Sequence, residues 1–152
     1  MTPPSTAPQT PDLTDLRARI QDSFDRAGLM HHLGARLGEV VPGRVHILLP
    51  YDARLTQHTG YFHAGATSTL ADTAGGFAAL TQAAPGQTVL SVEFKINLLA
   101  PARGEALEAV GQVIRSGRTL AITQVDVYAL DAGKKTPIAL MQQTLIHLPE
   151  PA

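Results

Sequence analysis

The sequence predicts an α+β fold, an antiparallel sheet of about six strands that buries one face against a central helix. Three observations lead there. Residues 88–148 hold four strand-like runs joined by short turns. Val45, Ile47 and Leu49 alternate farther upstream, as a half-buried strand requires. Between these regions, residues 63–82 are rich in small side chains and read as a helix.

The elements follow in order. Residues 1–11 contain four prolines and little that could pack, so a mobile tail is expected before a domain spanning 12–150. Asp12 suits an N-cap, with Asp15 three residues on, and Leu13, Leu16, Ile20 and Phe24 follow at helical spacing. That helix is expected to end near Gly28. Two strands are expected within 32–50, around Pro42-Gly43, then a loop over 51–62 and the central helix over 63–82. The remaining strands are expected at 88–99, 105–115, 118–130 and 136–148. Ser116-Gly117 and Asp131-Ala132-Gly133 supply turns between them.

Composition narrows the function. With 44% hydrophobic and 16% charged residues the chain reads as globular rather than disordered. A net charge of −1, with no basic block, argues against a nucleic-acid partner. The absence of cysteine removes disulfides, thiolate zinc sites and a cysteine nucleophile, and it suits a cytoplasmic location. The opening MTPPSTAPQTP has neither the cationic start nor the apolar run of a secretory signal. No apolar stretch approaches the roughly 20 residues that a membrane span needs, so no membrane partner is expected. His31 and His32 are adjacent, and His46, His58, His63 and His147 are scattered, which is no zinc spacing. No metal and no cofactor are expected. Neither a phosphate-binding glycine loop nor a GxSxG elbow occurs.

The central helix carries the first chemical signal. On a helical wheel Leu70, Ala74, Phe77 and Ala78 share one face. Gly65, Ser68, Asp72, Gly76 and Ala79 share another, almost all small. A buried carboxylate is costly unless paired, yet no Lys or Arg lies between Arg54 and Lys95. Asp72 therefore reads either as a side chain bonded to a neighbouring strand or as a carboxylate lining a ligand cleft. At the start of the same helix the N–H groups of Ala64, Gly65 and Ala66 lack intrahelical acceptors, and the helix dipole adds partial positive charge. Such an end can polarise a carbonyl.

At these residues the chain resembles the hotdog-fold acyl-CoA thioesterases of the phenylacetate-degradation type, from about residue 28 to residue 148. That family's pattern of an amide residue, His-Gly-Gly and a helix with Leu-Ala-Asp is met by Gln57, His63-Ala64-Gly65 and Leu70-Ala71-Asp72. Ser91, within SVEFKINLLAPA, falls at the family's water-positioning serine. VIRSGRTLA at 113–121 resembles the hairpin that lies near the coenzyme. Two departures stand out. Ala64 replaces the first glycine, keeping its N–H while adding a methyl group, and Gln57 replaces the commoner Asn.

Helix dimensions add a constraint. Ala64 and Asp72 are eight residues apart, roughly 12 Å along one axis. One carbonyl cannot touch both groups on a single helix. Two antiparallel copies of the helix across a two-fold axis bring one copy's Asp72 to the other's helix start. A homodimer is expected, paired further into a dimer of dimers.

The resemblance then implies hydrolysis of acyl-CoA thioesters. The Ala64 N–H binds the thioester oxygen, and Asp72 of the other subunit activates water or attacks directly. Gln57 orients the carboxylate or the water, Ser91 holds the water, and His63 fixes the helix start or helps bind the carbonyl. Gly65, Tyr61 and Phe62 are expected beside the substrate, with Phe77 a further possible wall. The hairpin Ser116, Gly117 and Arg118 is expected near the coenzyme phosphates, Arg103 being a weaker choice of cation. The alternation of Val92, Phe94, Ile96 and Leu98 places Ser91 on the opposite strand face with Glu93, Lys95 and Asn97. On that ground an ordinary exposed serine is the competing reading. A non-catalytic acyl-CoA-binding protein is the alternative for the whole chain. It would need the cleft and the dimer but not Asp72, Gln57 and Ser91 together. A hydratase is disfavoured because its histidine motifs are missing.

Overall fold

The computed structural model describes residues 12–151. The tail expected over residues 1–11 lies outside them. Helix α1 (Leu13–Asp25) is capped by Asp12, whose carboxylate accepts a hydrogen bond from the Thr14 N–H at 2.9 Å. Leu16, Ile20 and Phe24 are buried, whereas Leu13, expected on that face, is 55% exposed. The Arg19 guanidinium donates to the Leu80 carbonyl and ties α1 to the end of the central helix.

Where the sequence suggested a strand beginning at 32, the chain instead forms a second short helix, α2 (Gly28–Leu33), closed by Gly34 at φ 74°. Six residues are too few to display a helical period, and only Met30 of α2 is buried. The strands are β1 (Arg36–Val41), β2 (Arg44–Pro50), β3 (Gln87–Leu98), β4 (Ala106–Ser116), β5 (Leu120–Asp131) and β6 (Lys134–Pro149). A 3₁₀ turn at Ala53–Leu55 interrupts the loop before the central helix α3 (Ala64–Leu80). No helix among the described residues is long and apolar enough to cross a membrane.

All six strands form one antiparallel sheet in the order β1-β2-β4-β5-β6-β3. Pairing β3 with β6 rather than with its sequence neighbours leaves β3 on an edge. The inner sheet face presents Val45, Ile47, Leu49, Leu107, Val125, Val127 and Met141, all buried, to α3. The helix answers with Leu70, Ala71, Ala74 and Ala78. Phe77, expected on that buried face, is only partly buried, because the buried stripe runs through Leu70, Ala71, Ala74, Gly75 and Ala78 and leaves it at the margin.

Small residues let α3 lie close to the sheet. A side-chain carbon at Gly111 on β4 would sit 2.3 Å from the Ala74 carbonyl oxygen. One at Gly75 would sit 2.1 Å from Gln143 Oε1. Both glycines weaken their own elements intrinsically, and both are required by the close approach.

Candidate active site

Asp72 lies in the middle of α3, partly exposed, and forms no ion pair among the described residues. Its Oδ1 accepts two hydrogen bonds, one from the Ser91 hydroxyl at 2.6 Å and one from the Gln143 side-chain amide. No described residue bonds Oδ2. The carboxylate lines a cleft of about 640 Å³ together with Thr73, Gly76, Phe77, Ser91 and Leu145. Of the two readings open to Asp72, the structure combines both: it is bonded to a strand and it faces a cleft.

Ser91 corrects the alternation argument. Residues directly opposite in an antiparallel ladder share a sheet face. Ser91 stands opposite Leu145, and Phe94 opposite Gln143, with a bulge between Ser91 and Glu93. Leu145 and Gln143 are both buried on the inner face. The extra residue resets the two-residue period, so Ser91 faces α3 together with Phe94 and Ile96. Sequence reasoning took the alternation as unbroken.

The helix start is built by His63, the N-cap of α3. Its Nδ1 accepts the Gly65 N–H at 2.8 Å, which leaves the ring proton of the neutral imidazole on Nε2. Gly65 was expected to offer a free donor; the side chain of its own cap takes that donor instead. Ala64 keeps its N–H. Gln57 shapes the approaching loop: its backbone N–H donates to the Tyr61 carbonyl, and its side-chain oxygen accepts from the Thr59 N–H at 3.2 Å. Gln57, Tyr61, Phe62, His63 and Ala64 line a second cleft of about 570 Å³, closed on one side by Leu98 and Leu99.

The structure thus sorts the expected residues into two groups. Asp72 and Ser91 share one cleft, and Gln57, Tyr61, Phe62, His63 and Ala64 share another. No residue lines both. Ser116, Gly117 and Arg118 lie in neither: they are exposed at the β4–β5 turn, where the Gly117 N–H donates to the Leu120 carbonyl. Arg103 lines a separate groove with Tyr51 and Asp131. The ion pair between Asp52 and Arg54 lies outside both clefts. The Asp52 carboxyl is held down at about 2 by hydrogen bonds from the Arg54 side chain and backbone, and it caps the 3₁₀ turn.

Gln143 was missed by sequence reasoning. It sits on the inner face of β6, 1% exposed, with its Nε2 within 2.9 Å of the Ser91 oxygen. The available signal was an amide at an inward position of an otherwise apolar strand. Reading it required knowing which β6 positions face α3.

Residues 59–135, about half of the chain, match the family model described as the Thioesterase superfamily. A crystal structure of a thioesterase family protein from Silicibacter pomeroyi superposes with a TM-score of 0.87 at 41% identity, covering 89% of this chain and 99% of that one. Human acyl-coenzyme A thioesterase 13 is 34% identical over 101 residues, 64% of this chain and 70% of the human protein. The PaaI protein of E. coli, from the phenylacetic acid degradation operon, shares the fold at 18% identity, with a TM-score of 0.79 over 90% of this chain and 96% of that one. From these matches and the helix-on-sheet architecture, the chain belongs to the Thioesterase superfamily and is a hotdog-fold thioesterase.

Proposed function

We propose that the protein hydrolyses acyl-CoA thioesters at a site shared between two copies of the chain. The observation that carries this reading is the division of the candidate residues between two clefts, one at the start of α3 and one along its second half. The Asp72 cleft and the Ala64 cleft lack each other's chemistry within one protomer.

The edge strand supplies a way to join them. β3 is twelve residues long, and one of its edges pairs with no other strand among the described residues. Leu90, Val92, Phe94 and Leu98 on it are all exposed by 46% or more. A long apolar edge of this kind invites a partner strand. Antiparallel pairing of two β3 strands centred on Phe94 sets Ser91 opposite the partner's Asn97. The partner's Leu98 and Leu99 then follow, and these line the cleft that holds Ala64. One protomer's Asp72 meets its partner's helix start, and the two-fold axis generates a second equal site. Two such dimers pairing further gives the expected tetramer.

In this arrangement the thioester oxygen accepts the partner's Ala64 N–H, and charge developing there is stabilised by the helix end. Asp72 removes a proton from an attacking water, or adds to the carbonyl carbon itself. The C–S bond then breaks and CoA leaves as its thiolate; on the second route water afterwards cleaves the mixed anhydride, releasing the acid and restoring Asp72. Ser91 donates its hydrogen bond to Asp72 and so holds the water as an acceptor. His63 orders the helix start, and Gln57 orders the loop beside it. Arg118, exposed at its turn, is the cation assigned to the coenzyme phosphates. In the cell the enzyme works in the cytoplasm.

A mixing experiment tests the shared site. Asp72→Asn removes the carboxylate, while Ala64→Pro removes one N–H at a helix position that tolerates proline. Each variant alone is inactive toward acyl-CoA. Refolded together at equal amounts, they regain about a quarter of wild-type activity, because half the dimers are mixed and each has one intact site. If the mixture stays inactive while mixed dimers are demonstrated, the shared site is refuted. A wild-type chain that binds acyl-CoA yet releases no thiol supports a carrier instead.

A further inference from the structure

Asp72 is held in place from β6 as well as from β3, through side chains that lie behind the cleft. We propose that Gln143 is a positioning residue for Asp72 and Ser91, and that Thr123 and Gly75 hold its amide in place. This inference rests on the reading of Asp72 as the catalytic carboxylate.

Gln143 and Thr123 are 1% and 0% exposed, in a core that otherwise holds Val125, Met141 and Leu145. A buried amide is costly unless every polar group is bonded, and an apolar side chain would fill the same space without that requirement. All of its groups are in fact used. Nε2 donates toward Asp72 Oδ1, the Ser91 oxygen at 2.9 Å and the Asp72 backbone carbonyl at 3.3 Å. Oε1 accepts the Thr123 hydroxyl at 3.0 Å. The carboxylate, which only accepts, decides which way the amide points, because turning it over would set Oε1 against an anionic oxygen. The Thr123 hydroxyl then holds that orientation by donating to Oε1.

Two consequences follow for the site. Both Oδ1 bonds come from fixed donors, so Oδ2 is the oxygen left to face the cleft. The Ser91 hydroxyl has its proton on Asp72 and one lone pair taken by Gln143, which leaves a lone pair to receive a proton of bound water. The third member is Gly75. A side-chain carbon there would lie 2.1 Å from Gln143 Oε1 and 2.8 Å from Thr123 Oγ1, so the absence of a side chain is what admits the amide.

The test uses the full chain and steady-state acyl-CoA hydrolysis. Gln143→Met keeps the volume and removes both donors. It lowers kcat by about 10–100-fold while KM changes less than about twofold, since orientation of a reacting group is felt in the transition state. Thr123→Val lowers kcat by a smaller factor, and the double variant matches Gln143→Met alone, because Thr123 acts through Gln143. Gln143→Glu sets a second carboxyl against Asp72; the pair shares a proton, and the acid limb of the pH–rate profile moves to higher pH. A residue that only packs would move none of these readouts apart from thermal stability. Should Gln143→Met not fold, Thr123→Val and Gln143→Glu carry the test.

The inference is overturned if Asp72→Asn cripples turnover while the Gln143 and Thr123 variants keep wild-type kcat and pH profile. If Asp72→Asn itself retains full kcat, the catalytic reading of Asp72 fails, and the positioning role fails with it.

Discussion

Ser91 on β3 donates a 2.6 Å hydrogen bond to Asp72 on α3, across a strand whose alternation would turn Ser91 away. The bulge after Ser91 makes the contact possible. Removing the hydroxyl leaves Asp72 with its Gln143 bond but without its hydroxyl donor. Ser91→Ala is therefore expected to lower kcat by about tenfold while leaving the fold intact. Steady-state kinetics and a thermal melt check both halves. A variant with wild-type kcat would remove Ser91 from the site.

The adjacent glycines of α3 are not equivalent. Glycine inside a helix costs about 1 kcal/mol relative to alanine, so propensity alone predicts a gain at either position. At Gly76 a side-chain carbon meets only Leu145, at 3.9 Å. Gly76→Ala is expected to stabilise by about 0.5–1 kcal/mol and to narrow the Asp72 cleft that it lines. At Gly75 the Gln143 amide is in the way. Gly75→Ala is expected to destabilise by about 1–3 kcal/mol through overpacking and to lower turnover. Urea unfolding of the two variants side by side decides the point.

On the outer sheet face, Glu108 is approached by Lys135 and by His46 Nδ1 at 2.9 Å. Burial pushes its carboxyl up, but hydrogen bonds from Lys135 and His46 outweigh this and hold it below the ordinary 4.5. A depressed carboxyl contributes stability that is fully present above its unfolded value and is lost as pH falls through its lower folded value. Lys135→Met is expected to cost about 0.5–1 kcal/mol near neutrality. That difference shrinks below pH 4.5 toward a pH-independent remainder from the Lys135 ammonium over the Tyr128 ring, 4.2 Å from its centroid. Unfolding midpoints measured from pH 7 to pH 3 check the slope.

The β5–β6 turn carries the one non-glycine residue with positive φ among the described residues, Ala132 at 47°, followed by Gly133 at 77°. A left-handed alanine costs roughly 1–2 kcal/mol, and two-residue hairpin turns with both φ positive favour Asn-Gly. Ala132→Asn is expected to raise stability by about 0.5–1 kcal/mol without touching activity. Chemical denaturation is the measurement, and an unchanged midpoint would count against strain at this turn.

Much of the architecture was legible because it is written in neighbouring residues. The alternation of Val45, Ile47 and Leu49, the turn residues at Ser116-Gly117 and Asp131-Gly133, and the small side chains around Asp72 are local patterns with local causes. The same is true of the missing cation between Arg54 and Lys95, which singled out Asp72 before any contact was known. Helix α2 escaped because one and a half turns show no period, and Gly65 was misjudged because its donor is taken by a neighbouring imidazole. What only the tertiary structure decided is the company Asp72 keeps. Gln143 lies 71 positions away and Ser91 reaches α3 through a bulge. Strand order and register are set by how whole strands pair and pack, so no window of adjacent residues encodes which side chains finally meet.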